Sequence, residues 1–176
     1  MSRFAIREAT LGDAEGIARS HTLSWQTSYR GILPDSVLDL IDVGQRASSR
    51  RQILRDDSIF KLVAYDVTHG DIVGFCDAGP SRRPGPWAGE IYAIYLEHHA
   101  KRHGLGLEMF ERTGAWLRAK QMPSLIIWVL ENNEHARRFY EAMGGRLGES
   151  RRDRRGEFVF DDVAYIWDDV GAFALG

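Results

Sequence analysis

The sequence predicts an α+β domain built on a mixed β-sheet. Three observations lead there: helical patterns follow the first strand-like stretch, three strand patterns then run consecutively, and the later strands alternate with helices. Hairpin-linked strands pair antiparallel, whereas strand–helix–strand crossings favour parallel neighbours, so the sheet must be mixed. A doubly wound dinucleotide-binding sheet needs strict alternation, which this order lacks.

The elements follow in chain order. FAIRE (Phe4 to Glu8) alternates and reads as a first strand. Thr10 or Asp13 can cap the next helix, where Ala14, Ile17, Ala18, His21 and Trp25 recur at helical spacing. Pro34 opens a shorter helix (SVLDLI), and Gln45 to Leu54 is a polar, arginine-rich helical piece. IFKLVAYD and DIVGFCDA are strands joined by VTHGD, whose Gly70-Asp71 pair suits a hairpin turn. PSRRPGP (Pro80 to Pro86) is an irregular loop, too short for an interdomain linker. The strand EIYAIYL (Glu90 to Leu96) leads through KRHGLG into a helix reaching about Lys120. SLIIWVL is wholly apolar, as a strand buried on both faces would be. Glu134 to Met143 is a helix ended by Gly144-Gly145, RRDRR (Arg151 to Arg155) is a solvated hairpin turn or else a contact for an acidic partner, and EFVFDDVAYIW is a last strand.

Bulk properties narrow the function. A chain of 176 residues suits a single domain, 1–176, with one sizeable core. The net charge of −2 argues against a nucleic-acid partner held by overall basicity. Cys76 is the only cysteine, so no internal disulfide forms, and its apolar run (IVGFC) marks a buried structural thiol rather than a nucleophile. No run approaches the roughly 18 apolar residues of a membrane helix, so no membrane partner is expected. MSRFAIREAT lacks the apolar core of a signal peptide, which leaves a cytoplasmic location as the expectation.

Two segments hold the chemistry. In Lys101-Arg102-His103-Gly104-Leu105-Gly106 a glycine-rich turn enters a helix, presenting unpaired backbone N–H groups at its positive end. The dinucleotide fingerprint would need glycine at Met109, and the P-loop ending Gly-Lys-Ser/Thr is absent. By itself the segment is an anion seat or a plain turn. His98, His99 and His103 do not make a metal site, because Ala100, Lys101 and Arg102 stand where a glutamate ligand pattern is needed. No metal is expected. The second segment, NNEHARRFYEAMGG, repeats apolar positions at Ala136, Phe139, Tyr140 and Met143 behind Asn133, either a helix cap with a core tyrosine or one wall of a ligand site.

Taken in order, EIYAIYL, KRHGLG, a helix, SLIIWVL and ENNEHARRFYEAMGG resemble the GNAT superfamily of acyl-CoA-dependent N-acyltransferases. The family's cofactor motif is Gln/Arg-x-x-Gly-x-Gly/Ala, followed by an Asn, a small residue and an aromatic-Tyr pair before a glycine. REATLGDAEGIARSHTLSWQTSYRGILPD also resembles the N-terminal part of many bacterial members, so the likeness runs from Phe4 to about Trp167. Lys101 replaces the usual Gln/Arg, and Gly145 stands where Phe is frequent, removing a packing anchor.

The resemblance implies a splayed mixed sheet flanked by helices, with acetyl-CoA as cosubstrate. It assigns pantetheine to Ile94, Tyr95 and Leu96, and pyrophosphate to Arg102, His103, Gly104, Leu105, Gly106 and Leu107 with Lys101 at the rim. Asn133 and Phe139 join the cofactor contacts. Tyr140 would protonate the leaving thiolate, and Glu90 would serve as base, through water given its distance of roughly 13 Å from Ile94 along the strand, or else is a solvated strand-end glutamate. Trp25, Tyr29, Trp87 and Tyr92 are candidates for the acceptor wall. The expected acceptor is a small-molecule primary amine (an amino acid, polyamine or drug-like amine), with a protein or peptide amine as alternative. A non-catalytic CoA-binding module is a further alternative, and a homodimer accords with the family's habit.

Overall fold

The computed structural model describes residues 2–155 and 158–172. Residue 1 and residues 156 and 173–176 of the expected domain, and Glu157 of the expected last strand, lie outside them. The seven strands hydrogen-bond in the order β1-β2-β3-β4-β5-β7-β6. They are Phe4–Glu8 (β1), Phe60–Asp66 (β2), Ile72–Pro80 (β3), Gly89–Leu96 (β4), Leu125–Leu130 (β5), Arg146–Arg155 (β6) and Phe158–Trp167 (β7). The sheet is mixed: β4 pairs parallel with β5, while β1–β2, β2–β3, β5–β7 and β6–β7 pair antiparallel. Helices are Ala14–Tyr29 (α1), Asp35–Asp39 (α2), Val43–Arg55 (α3), Leu105–Ala119 (α4) and Glu134–Ala142 (α5). Two compact units share this chain, one made of residues up to Ala78 with Ala93–Thr113, the other of Gly79–Tyr92 with residues from Gly114 onward.

In the first unit, the Thr10 backbone N–H donates to the Asp13 carboxylate at 2.7 Å and fixes the turn into α1. The Arg7 guanidinium grips the same carboxylate with two 2.7 Å bonds. That side-chain bond is the main reason Asp13 titrates below the usual carboxylate range. The expected α1 stripe is the core: Ala14 and Ile17 pack with Leu54, Val63, Ile72 and Phe75. Asp42 caps α3 by accepting from the Gln45 N–H at 2.9 Å. The β2–β3 hairpin turns at Gly70, whose φ of 76° is left-handed and costs glycine little. Cys76 is buried, and burial pushes its thiol up to about 12, so it is the inert structural thiol that its apolar run suggested.

In the second unit, Ile126, Ala164 and Ile166 form a core cluster against which Trp87 and Trp128 pack. Met143 caps α5 and Gly144 follows at φ 80°, the left-handed exit expected of the Gly-Gly pair. One expectation fails. RRDRR is not a turn but the end of β6, paired with β7 from Arg152↔Asp161 to Arg155↔Phe158. Arg151 is not solvated either, since its guanidinium lies 3.9 Å from the Trp128 ring centroid and bonds Asp162 at 3.1 Å. A charge run can line a strand when its partner offers carboxylates, as β7 does through Asp161 and Asp162.

Candidate active site

The KRHGLG segment opens α4 as expected, with a sharper backbone than two glycines require. Arg102 (φ 64°) and Gly104 (φ 78°) are both left-handed, flanking His103. Such alternation turns successive N–H groups toward one side, and the first turn of α4 adds N–H groups lacking intrahelical acceptors. Space is open where a Gly104 Cβ would stand. Leu105 is buried and anchors the helix start, whereas Leu107 is exposed. Burial lowers the Lys101 ammonium below its ordinary value. His99 and His103 pack against Phe4, with ring centroids 5.9 and 5.1 Å away. Among the described residues no group of three or more His, Cys, Asp or Glu side chains could hold a metal ion.

Ile94, Tyr95 and Leu96 are half-buried on the last part of β4. Gly74 of β3 is what lets them sit there: a Cβ on it would come within 2.6 Å of the Tyr95 carbonyl oxygen and 2.5 Å of the Leu96 side chain. The parallel ladder joins Gly89, Glu90 and Ile91 of β4 to Leu125, Ile126 and Ile127 of β5, and both strands continue past it.

Two of the four candidate acceptor residues meet in the first unit. Trp25 and Tyr29 stack edge-on at 5.0 Å, and the Tyr29 hydroxyl is 3.3 Å from that of Tyr95. His21 joins the same group, 4.9 Å from Tyr95, 5.0 Å from Phe75 and 5.9 Å from Trp25 between ring centroids. Burial first, then the charges of Arg46 and Arg50, push the His21 imidazole down to about 3. Arg50 is itself buried, ion-paired with buried Asp77, and its guanidinium lies 4.4 Å from the Phe75 ring centroid. Neither Arg46 nor Arg50 stood among the candidates. The available signal was the four-residue spacing of the two arginines in a helix otherwise read as polar surface.

In the second unit, Glu90 is 3% exposed, not a solvated strand end. Its Oε2 accepts from the Arg82 backbone N–H at 2.9 Å, and its Oε1 from Arg82 Nε at 3.2 Å and Nη2 at 2.5 Å. The Tyr92 hydroxyl donates to the Pro80 carbonyl at 2.5 Å, and Arg82 lies 4.2 Å from its ring centroid. Trp87 is partly buried against the Ile126 cluster. Asn133 accepts from the Ala136 N–H at 3.2 Å, so the cap reading holds. Tyr140 is 5% exposed, its ring 5.6 Å from Phe139, 5.7 Å from Tyr165 and 6.4 Å from Trp167.

The profile of the acetyltransferase (GNAT) family matches residues 22–145, which takes in the glycine turn and the α5 motif. The chain belongs to the GNAT acetyltransferase family. Membership makes it an acetyl-CoA-dependent acetyltransferase, and curated relatives agree. It is 28% identical over 169 residues to the uncharacterized N-acetyltransferase YuaI of Bacillus subtilis (strain 168), covering 95% of this chain and 94% of that one. It is 30% identical over 142 residues to Rv2775 of Mycobacterium tuberculosis, named as a probable N-acetyltransferase, covering 80% and 78%. Among solved structures, the PaiA N-acetyltransferase of Thermoplasma acidophilum, crystallised with coenzyme A, matches at a TM-score of 0.73. That match has 18% identity and covers 94% of this chain and 98% of PaiA. YncA of Salmonella typhimurium, solved with acetyl-CoA, matches at 0.65 with 15% identity over 94% of each chain. GNAT proteins of this fold thus hold CoA or acetyl-CoA.

Within this GNAT chain the departure at Gly145 has a local explanation. A Cβ there would come within 2.6 Å of the Trp167 indole and 2.8 Å of the Tyr140 carbonyl oxygen. The indole N–H of Trp167 donates to the Met143 carbonyl at 2.8 Å, closing the corner after α5. The Trp167 indole leaves no room for a side chain at position 145.

Proposed function

We propose that this acetyltransferase moves an acetyl group from acetyl-CoA to a primary amine of a small molecule by direct attack on the thioester. The observation that carries the reading is the left-handed Arg102–Gly104 turn feeding α4, a backbone anion seat of the kind a pyrophosphate requires. The compact grouping of Trp25, Tyr29 and Tyr95 supports an acceptor of small-molecule size. No helix of the described residues is long and apolar enough to cross a membrane. A cytoplasmic setting, a single catalytic domain and a homodimer belong to the same reading.

The roles follow the motif position by position. Lys101 and Arg102 to Leu107 take the pyrophosphate, Ile94 to Leu96 the pantetheine, and Asn133 and Phe139 the cofactor arm. Trp25 and Tyr29 of the first unit are acceptor contacts, as are Trp87 and Tyr92 of the second. The acceptor must reach the thioester as a neutral amine, although alkyl amines near pKa ~10 are mostly protonated at pH 7. Glu90 removes the proton through a bridging water. Three hydrogen bonds to Arg82 occupy its carboxylate, and a carboxylate offers about four acceptor positions, which leaves one for that water. Nitrogen then bonds the carbonyl carbon while a strand N–H near Ile94 to Leu96 stabilises the oxyanion. As the intermediate collapses the carbon–sulfur bond breaks, Tyr140 gives its phenolic proton to the departing thiolate, and the acylated nitrogen sheds its remaining extra proton to solvent, from which Tyr140 is reprotonated.

Free-thiol release from acetyl-CoA, measured with panels of small amines and of peptides, tests the reading. Turnover with at least one small amine is expected. Turnover with peptides alone would move the acceptor to a protein amine, and CoA binding without any turnover would leave a non-catalytic module.

A further inference from the structure

The aromatic group around Trp25 holds an electrostatic imbalance that the reaction as described does not use. Arg46 of α3 lies over the Trp25 ring, its Cζ 5.0 Å from the centroid. Its neighbour Arg50 has a counter-ion, the buried Asp77 carboxylate. Arg46 has none among the described residues: its Nη1 is sealed from water without a hydrogen-bond partner, and the groups acting on it are Tyr95 and a second cation, Arg50. The Trp25 indole Nε1 is likewise sealed without an acceptor. Two donors on facing elements therefore lack the same thing. Leaving a buried donor unmade costs roughly 1–3 kcal/mol, more if it is charged, and native proteins keep such a cost where something else satisfies it.

We propose that the acceptor amine carries a carboxylate, bound by the Arg46 guanidinium and the Trp25 indole N–H at the edge of the aromatic group. This rests on the small-molecule amine reading above and narrows it to amino acids and similar anionic amines. Polyamines are disfavoured, because Arg46, which lacks a counter-ion among the described residues, repels a second ammonium. Arginine presents a planar fork that matches a carboxylate, and the indole N–H can only donate, so neither group suits a cationic tail. Arg46, Trp25, His21 and Tyr95 are all half-buried. The group thus borders solvent, while the Arg46 Nη1 and Trp25 Nε1 atoms themselves are covered, so a ligand reaches them only when a covering side chain turns aside. Neutral His21, in ring contact with Trp25 and Tyr95, adds no charge to compete for the carboxylate.

The test compares the twenty L-amino acids with their α-carboxamides and with spermidine, by thiol release and by thermal shift without acetyl-CoA. The amide's amine is less basic and more often neutral at pH 7.5, so the comparison is biased against the expected result. At least one amino acid should exceed its carboxamide about tenfold or more in kcat/KM, the scale of one charge-assisted hydrogen bond. The same amino acid should raise Tm where its amide and spermidine do not. Arg46→Gln should abolish the acid-over-amide preference, chiefly through KM. Equal use of acid and amide by the unaltered enzyme, or a preference that survives in Arg46→Gln, overturns the proposal. The unaltered enzyme's preference decides the matter even if the variant does not fold. Thermal stabilisation by acids without turnover of any amine would retain the carboxylate site and reject the acyl-transfer reading. Turnover without acid preference would reject the carboxylate site alone. Neither stabilisation nor turnover rejects both.

Discussion

At the scale of single residues, Tyr140 and Asn133 separate two kinds of assignment. The Tyr140 ring is packed by Phe139, Tyr165 and Trp167, so removal of its hydroxyl leaves the packing in place. Tyr140→Phe should lower kcat by about 10²–10⁴ with little change in CoA affinity, because thiols near pKa ~8.5 leave only moderately well unaided. An unchanged kcat, with chemistry rate-limiting, would refute the general-acid role. Asn133 already spends its side-chain oxygen on the Ala136 N–H, leaving the amide NH₂ to donate to the cofactor arm. Serine caps helices about as well as asparagine but has no amide. Asn133→Ser should therefore keep Tm near that of the unaltered protein while weakening CoA binding. If isothermal titration returns the same Kd, Asn133 is a cap and nothing more. The asparagine and tyrosine were legible because a motif fixes their spacing. The burial of Glu90 under Arg82 was not, since a strand-end glutamate and a loop arginine eight residues apart meet only after the loop folds back.

At the scale of elements, β4 depends on a residue that no motif contains. Gly74 lies against Tyr95 and Leu96 so closely that even one methyl group meets backbone oxygen. Gly74→Ala should push this part of β4 outward and cost about 1–3 kcal/mol, the usual range for overpacking. Because Ile94 to Leu96 are proposed to pair with pantetheine, the acetyl-CoA KM should rise in parallel. A destabilised protein with unaltered KM would remove that stretch from the cofactor site. The elements themselves were largely readable from periodicity and punctuation, and α1, the β2–β3 hairpin, β5 and α5 fall where their patterns put them. β6 escaped because RLGESRRDRR has no alternating apolar face. Its strand character comes from β7, whose Asp161 and Asp162 carboxylates receive Arg152 and Arg151.

At the scale of the whole molecule, the buried titratable groups set how stability follows pH. His21 titrates at about 3 when folded and near its ordinary 6.5 when unfolded. Between those values the unfolded chain binds a proton that the folded chain refuses, so stability falls as pH drops through 6.5 toward 3. Asp66, held at about 2 chiefly by its bond from Arg3, acts lower: its contribution is complete above about pH 4 and is lost as pH falls through 2. Urea unfolding at pH 7 and pH 5 should show a loss in the unaltered protein, bounded by about 1.4 kcal/mol per pH unit for one group. His21→Phe, which keeps an aromatic ring against Phe75 and Tyr95, should lose less over the same interval. Equal losses in the two proteins would remove His21 as the cause.

The sequence by itself determined the family, the mixed sheet and the two motif segments, because each rests on short-range spacing: a glycine turn entering a helix, an asparagine seven residues before a tyrosine. Only the tertiary structure decided which charges are buried and with what partners. Arg50 finds Asp77, Glu90 finds Arg82, and Arg46 finds an indole but, among the described residues, no anion. The physical reason is that desolvation and pairing depend on groups far apart in the chain, 27 residues for Arg50 and Asp77, and periodicity holds no record of them.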